Sequence, residues 1–186
     1  MKCWNVLGRK DMQNNKAYEN FPFWIPFLSC VLSISIYALG AYIFSQIDFF
    51  FTVLYLMFCL WIELKILKGS CVNCYYYGKT CGLGRGKLCA LLFKKGNPEG
   101  FAEKEVSWKD LIPDFLVLIF PLIGGIIILI RDFTWLILTL MVILAMLWLG
   151  GNALIRGSLA CKFCKQKELT GCPAEQLFNK GAKTAG

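Results

Sequence analysis

Four long runs of apolar residues restrict the folds open to this sequence. They fall at 24–46, 48–67, 111–130 and 133–155, and each has almost no internal charge. A helix of about 20 apolar residues, rising about 1.5 Å per residue, matches the roughly 30 Å hydrocarbon core of a bilayer. The chain is 57% hydrophobic and only 17% charged, whereas about a quarter of the residues in a soluble domain are charged. The runs therefore predict an all-α integral membrane protein with four transmembrane helices.

The apolar runs divide the chain into five segments. Two are transmembrane hairpins, at 24–67 and 111–155. The other three are polar: an N-terminal segment at 1–23, a cysteine-rich loop at 68–110 and a cysteine-rich C-terminal segment at 156–186. Because the N-terminal segment is polar and basic, and the first apolar run is long enough to span, we expect no cleavable signal peptide.

Basic residues mark one side of the predicted membrane protein. Of the 20 lysine and arginine residues, only Arg131 lies in a turn at the opposite end. Cytoplasmic loops are enriched in lysine and arginine. We therefore expect the protein to lie in the plasma membrane, with both termini and both cysteine-rich segments in the cytoplasm. The net charge of +8 is then explained by topology and by attraction to anionic lipid headgroups, and nucleic-acid binding is not expected.

The two halves of the chain resemble each other. Several short motifs recur in the same order about 90 residues later: Ile-Pro at 25–26 and 112–113, a basic-Gly-Ser triplet at 68–70 and 156–158, Cys-x2-Cys at 71–74 and 161–164, and Leu-Phe-x-Lys-Gly at 92–96 and 177–181. Their order predicts tandem duplication of a helical hairpin. Two parallel copies related by an axis along the membrane normal bring both cysteine-rich loops to the same end of the bundle.

Cysteines in the polar segments are the candidate functional residues. Cys30 and Cys59 fall within apolar runs, where packing is the expected role, and the other eight of the ten form the candidate metal ligands: Cys3, Cys71, Cys74, Cys81, Cys89, Cys161, Cys164 and Cys172. Cytoplasmic thiols stay reduced, which disfavours disulfides. A Cys-x2-Cys turn lets two sulfurs converge on one ion, and such pairs build both zinc sites and iron–sulfur sites.

Two ligand arrangements are compatible with the spacing. One site across the axis uses Cys71, Cys74, Cys161 and Cys164. Separate sites instead use Cys71, Cys74, Cys81 and Cys89 in the first loop, and Cys161, Cys164 and Cys172 with an outside ligand such as Cys3 in the second. The chain has no histidine, so an all-thiolate site is either structural zinc or a redox-active iron–sulfur cluster. The predicted role is electron transfer or docking of a soluble partner, and no enzymatic activity is assigned.

Two other functions remain open from the sequence. A membrane thiol–disulfide oxidoreductase also carries Cys-x2-Cys pairs, and Lys79, Lys162 and Lys165 are expected to lower the pKa of neighbouring thiols. A small transporter or metal-ion handling protein needs ionisable residues within the membrane. Glu63 and Asp114 are the nearest acidic candidates, but both are expected at the cytoplasmic interface in reach of water.

Overall fold

The computed structural model describes residues 17–97 and 108–166. Cys3, Cys172, most of the 98–110 stretch and the C-terminal tail lie outside these ranges. The described chain is helical, and its only β-type pairing is an isolated bridge between Tyr18 and Cys164. Its elements are α1 (Trp24–Ser45), α2 (Phe49–Gly69), a 3-10 turn (Cys71–Asn73), α3 (Arg85–Leu92), α4 (Trp108–Arg131) and α5 (Trp135–Met146), which continues as π-helix over Leu147–Gly151 and Ala153–Ala160.

Four of these helical stretches are long and apolar enough to cross a membrane. No more than 28% of any of their apolar windows is buried inside the protein, so most of their residues are at least partly exposed. Lipid tails accept such surfaces, whereas soluble monomers seldom expose large apolar patches. The prediction of four spanning helices agrees with this architecture to within a few residues, except that the fourth continues beyond residue 155 to Ala160.

Tight turns join the helices at one end of the bundle. The Asp48 side chain caps α2 by accepting a hydrogen bond from the Phe50 N–H at 2.7 Å, which satisfies one of the free donors of a helix N-terminus. Thr134 stands at the corresponding position before α5. The described parts of both cysteine-rich segments, 68–97 and 156–166, therefore lie at the other end of the bundle.

Buried side chains from all four long helices form the core. Its members are Ile36, Ile43, Tyr55, Cys59, Ile62, Val117, Leu118, Ile137, Met141 and Leu144. Within this apolar surrounding the Tyr55 hydroxyl donates to the Val117 carbonyl at 3.1 Å, because a buried hydroxyl without a partner would be strongly unfavourable. This hydrogen bond joins the two hairpins. Cys59 lies in the core, as the sequence predicts, while Cys30 is exposed on α1.

Gly40 allows α1 to approach Tyr55 closely. A Cβ at this position would lie 2.6 Å from the ring carbon Cζ of Tyr55, so Gly40→Ala must displace the ring and its hydrogen bond. We expect a loss of about 1–3 kcal/mol in unfolding free energy, as for other overpacked cores, measured by denaturant unfolding in detergent micelles. Gly150→Ala is the matched control, since no atom lies within 4 Å of its added Cβ. Equal effects of the two substitutions would contradict this close packing.

Candidate functional site

A small second core forms at the loop end of the bundle. Phe21, Ile25 and Tyr76 are buried there, at 4%, 2% and 2% exposure. Three half-buried cysteines pack against this core, two from the first loop and one from the second; we define them as the cysteine cluster: Cys74, Cys81 and Cys164. The cluster thus joins residues that are far apart in the sequence around one apolar centre.

Tyr76 links the two loops through its hydroxyl group. The hydroxyl donates to the Tyr18 carbonyl at 2.6 Å and accepts from the Lys165 N–H at 3.0 Å. Beside it, the Tyr75 N–H donates to the Gln166 side-chain oxygen at 2.6 Å. Two hydrogen bonds therefore fix the second loop to the first, one at the Tyr76 hydroxyl and one at the Tyr75 N–H.

Residues before α1 run between the two loops and contact both. The Tyr18 N–H donates to the Phe163 carbonyl at 3.1 Å, beside Cys164, and the Phe21 N–H donates to the Thr80 carbonyl at 3.0 Å, beside Cys81. These backbone hydrogen bonds hold the segment in place while Phe21 fills the small core. The segment therefore stabilises the cysteine cluster from a third direction.

The first-loop cysteines of the cluster each begin a tight turn. The Tyr77 N–H donates to the Cys74 carbonyl at 3.0 Å, and the Gly84 N–H donates to the Cys81 carbonyl at 2.9 Å. In the second turn the Leu83 N–H points at the Cys81 sulfur at 3.4 Å, and Gly84 supplies the left-handed conformation with φ of 74°. Backbone N–H groups aimed at a sulfur favour its thiolate form, which is the form that binds metals.

Burial has the opposite effect on the same thiols. It raises the pKa of Cys74 to about 12, opposed by the N–H of Tyr76 and assisted by the nearby Cys81 and Cys164 sulfurs. Burial likewise raises the pKa of Cys81. The thiols of the first loop are therefore protonated at neutral pH unless a cation lies among them.

The lysines beside the cluster do not produce the predicted lowering of thiol pKa. The Lys79 ammonium lies 3.9 Å from the centre of the Tyr75 ring, and that of Lys165 lies 5.3 Å from the same ring. Hydrogen bonding to Lys79 lowers the pKa of the Tyr75 hydroxyl. The predicted lowering is not found for Cys74 and Cys81, because burial raises the pKa of both thiols.

The remaining described cysteines outside the spanning helices differ in their exposure. Cys71 is half-buried at the start of the 3-10 turn, and Cys161 is exposed at the start of the turn that leads to Cys164. Cys89 is fully buried on α3, with its sulfur 3.7 Å from the Leu67 carbonyl oxygen. No disulfide joins any two of the eight cysteines within the described ranges. The predicted ligands Cys3 and Cys172 lie outside those ranges.

Both predicted ligand arrangements remain predictions, since one of them includes Cys3 and Cys172 outside the described ranges. Within residues 17–97 and 108–166, no three cysteine, aspartate or glutamate side chains are disposed to hold a metal ion. The cluster instead places Cys81 near Cys164, a combination that neither arrangement contains. Spacing alone does not indicate it, because the approach of the loops depends on Phe21 and Tyr76. Metal binding therefore remains a prediction.

An ion pair that sequence patterns did not indicate fastens the first loop to the bundle. Arg85 of α3 donates to both carboxylate oxygens of Glu63, at 2.7 and 2.5 Å, and the Tyr37 hydroxyl donates to the same carboxylate at 2.6 Å. The Arg85 and Glu63 side chains are only 11% and 22% exposed. Glu63 is thus more enclosed than expected, whereas Asp114 is 32% exposed and pairs with Arg156 at 3.4 Å.

Tyr76→Phe is expected to loosen the second loop without emptying the small core. The substitution keeps the ring and removes the hydroxyl that joins Tyr18 to Lys165, at about 1–3 kcal/mol for leaving such partners unsatisfied. Hydrogen–deuterium exchange should then be faster at 161–166 and unchanged in the core of α2. Tyr77→Phe is the control, because its hydroxyl bonds only to Phe93 within the first loop. Unaltered exchange at 161–166 would contradict the role of the hydroxyl.

Comparisons of the chain with protein-family models, with curated proteins and with solved structures found no match. Its function must therefore be argued from its own residues. Those at the loop end combine thiols from two loops, N–H donors aimed at sulfur, and an enclosed apolar support. Thiol ligands and N–H donors to sulfur also occur in thiolate metal sites.

Proposed function

We propose that this protein is an integral membrane protein that binds a metal through cytoplasmic cysteine thiolates, as zinc or as an iron–sulfur cluster. The observation that carries the proposal is the cysteine cluster, in which Cys74, Cys81 and Cys164 from two loops pack against one buried tyrosine. Cysteines that serve only as small apolar residues are not expected to converge in this way from distant parts of a polar region.

The fourth ligand in this proposal is Cys71 or Cys161. Each begins the turn that ends at a cluster cysteine, with N–H to carbonyl distances of 3.3 Å for the first pair and 3.4 Å for the second. Small rotations of the cysteine side chains bring thiolates toward a common centre when they bind an ion. Metal binding releases the thiol protons, and this release is the expected chemistry of an all-cysteine site.

Charge and chain direction support the cytoplasmic placement. Both cysteine-rich loops lie at the end of the bundle that carries nearly all basic residues, whereas the opposite turns hold only Arg131. Lysines at that end are suited to contact anionic headgroups. A reducing compartment keeps the cluster thiols available for metal, and a soluble redox or docking partner reaches the same surface from the cytoplasm.

Thiol–disulfide exchange is less well supported than metal binding. An exchanging cysteine attacks as the thiolate and needs a lowered pKa together with access to its partner. Burial instead raises the pKa of Cys74 and Cys81. A bound cation reverses that effect, because its charge stabilises the thiolates directly.

Metal content of the anaerobically purified full-length protein tests the proposal. We expect bound zinc without colour, or iron and sulfide with broad visible absorbance, and we expect the metal to be lost in a Cys74→Ser, Cys81→Ser double variant. Cys30→Ser is the control, since Cys30 is exposed on α1 and is not part of the cysteine cluster. Metal-free protein with fully titratable thiols, even after loading with zinc or iron, would overturn the proposal.

Orientation is tested separately with an impermeant maleimide. Cys161 is exposed, so it should be labelled in inverted membrane vesicles and protected in intact cells. Labelling of intact cells would place the loops on the opposite side of the membrane. Metal binding and orientation are thus examined by independent readouts.

A further inference from the structure

The helix that leads to the second cysteine pair changes its winding. It is α-helical through Met146 and π-helical over Leu147–Gly151 and Ala153–Ala160. The Cys161 N–H continues this pattern by donating to the Arg156 carbonyl, five residues earlier, at 2.8 Å. A π-helix usually occupies a single turn, so this length is unusual. In contrast, α2, which leads to the first pair, is α-helical throughout.

Sequence spacing differs between the two hairpins over the same stretch. Cys71 is the tenth residue after Trp61, whereas Cys161 is the thirteenth after Trp148. Three additional residues in α-helical form would carry the second pair about 4.5 Å further along the axis and turn it away from the first. Because i→i+5 bonds hold more residues in each turn than i→i+4 bonds, a π-helix accommodates the surplus with less rise.

The cysteine pairs nevertheless meet at matching positions. Tyr76 and Gln166 each stand two residues after the second cysteine of their pair. The Tyr75 N–H reaches the Gln166 side chain at 2.6 Å, and the Lys165 N–H reaches the Tyr76 hydroxyl at 3.0 Å. The residues that follow the two pairs are therefore in contact despite the difference in spacing.

We infer that the π-helical stretch is a positioning element that absorbs three surplus residues and keeps Cys161 and Cys164 in register with the first cysteine pair. Asn152 supports the widened turns, since its side-chain amide donates to the Trp148 carbonyl at 2.8 Å. The functional meaning of the register rests on the proposed metal site, but the register itself is a geometric property and is measured without metal.

Single-residue deletions should affect the two helices differently, because only the helix that leads to Cys161 has surplus residues. Deletion of Gly150 removes a residue beside which an added Cβ would meet nothing, and we expect one π turn to revert to α while the cysteine pairs stay in register. Deletion of the exposed Leu64 is the matched control in α2. That helix has no surplus turn, so every later residue rotates by about 100° and the pairs should separate.

The readout is cross-linking of Cys74 to Cys164 by a short bifunctional thiol reagent, in full-length protein whose other eight cysteines are serine. We expect unchanged cross-linking after deletion of Gly150. We expect the same after joint deletion of Gly150 with the exposed Ala153 and Leu154, which gives both hairpins equal spacing. We expect loss of cross-linking after deletion of Leu64. Size-exclusion chromatography and circular dichroism in detergent confirm that each variant is folded.

Loss of cross-linking in both single deletions, or its retention in both, would overturn the inference. If the Leu64 deletion does not yield folded protein, the triple deletion decides: retained cross-linking supports the register role and loss contradicts it. Metal content is measured in parallel in protein with all native cysteines. Absence of metal there together with the expected cross-linking pattern would reject the proposed function and leave the positioning role intact.

Discussion

Cys164→Ser is expected to lower metal affinity at least about 100-fold, because loss of a direct ligand should exceed the 10- to 100-fold effect typical of outer partners. Cys164 is the cluster member contributed by the second loop. Its replacement therefore tests whether one site draws on both loops, whereas substitutions within the first loop do not. Affinity is measured by competition with a chromophoric chelator in detergent.

Cys89→Ser provides a contrasting variant for the same titration. Cys89 is a first-loop cysteine that is buried against the Leu67 carbonyl and is not part of the cluster. Its replacement should leave metal affinity within about threefold, although it disturbs a buried position. If Cys89→Ser abolishes binding and Cys164→Ser does not, the ligands belong to the first loop alone and the shared site is wrong.

Glu63→Gln is expected to destabilise the protein by about 3 kcal/mol, because it leaves a largely buried guanidinium without the opposite charge of the carboxylate. Arg85 is only 11% exposed and donates two hydrogen bonds to this carboxylate. The Tyr37 hydroxyl loses its charged acceptor at the same time. The change should appear as a lower midpoint of denaturant unfolding in micelles and as faster hydrogen exchange in α3.

Two further variants separate charge from packing in this ion pair. Asp114→Asn should cost less than about 1 kcal/mol, since that pair is 3.4 Å long and about one-third exposed on both sides. The double variant Glu63→Leu, Arg85→Leu should recover much of the stability lost in Glu63→Gln, because paired apolar replacements leave no uncompensated charge. If the double variant is less stable than Glu63→Gln, the uncompensated charge does not explain the loss of stability.

Helix positions could be predicted because they depend on the composition of single segments. Runs of apolar residues at 24–46 and 133–155 identify spanning helices without any knowledge of their neighbours, and the structure has helices there. The ends of the helices were predicted less accurately. The π-helical winding up to Ala160 was not predicted, since no local motif in the sequence indicates it.

For the candidate site, the sequence predicted the kind of residue but not the contacts between residues. Cysteines at Cys-x2-Cys spacing indicate thiolate chemistry, but the proximity of Cys81 to Cys164 depends on the docking of Tyr76. No local pattern contains that contact. The pairing of Arg85 with Glu63 was equally inaccessible, because it joins a loop helix to a spanning helix over a long sequence separation. Tertiary contacts of this kind follow from packing, which periodicity does not describe.

X-ray absorption spectroscopy of the metal-loaded, full-length protein tests the central claim most directly, because it counts the atoms bound to the metal. With zinc bound, we predict four sulfur neighbours at about 2.3 Å and no nitrogen or oxygen shell, with one sulfur lost in Cys164→Ser. A first shell of oxygen or nitrogen atoms around zinc in the native protein would contradict thiolate ligation by the cysteine cluster.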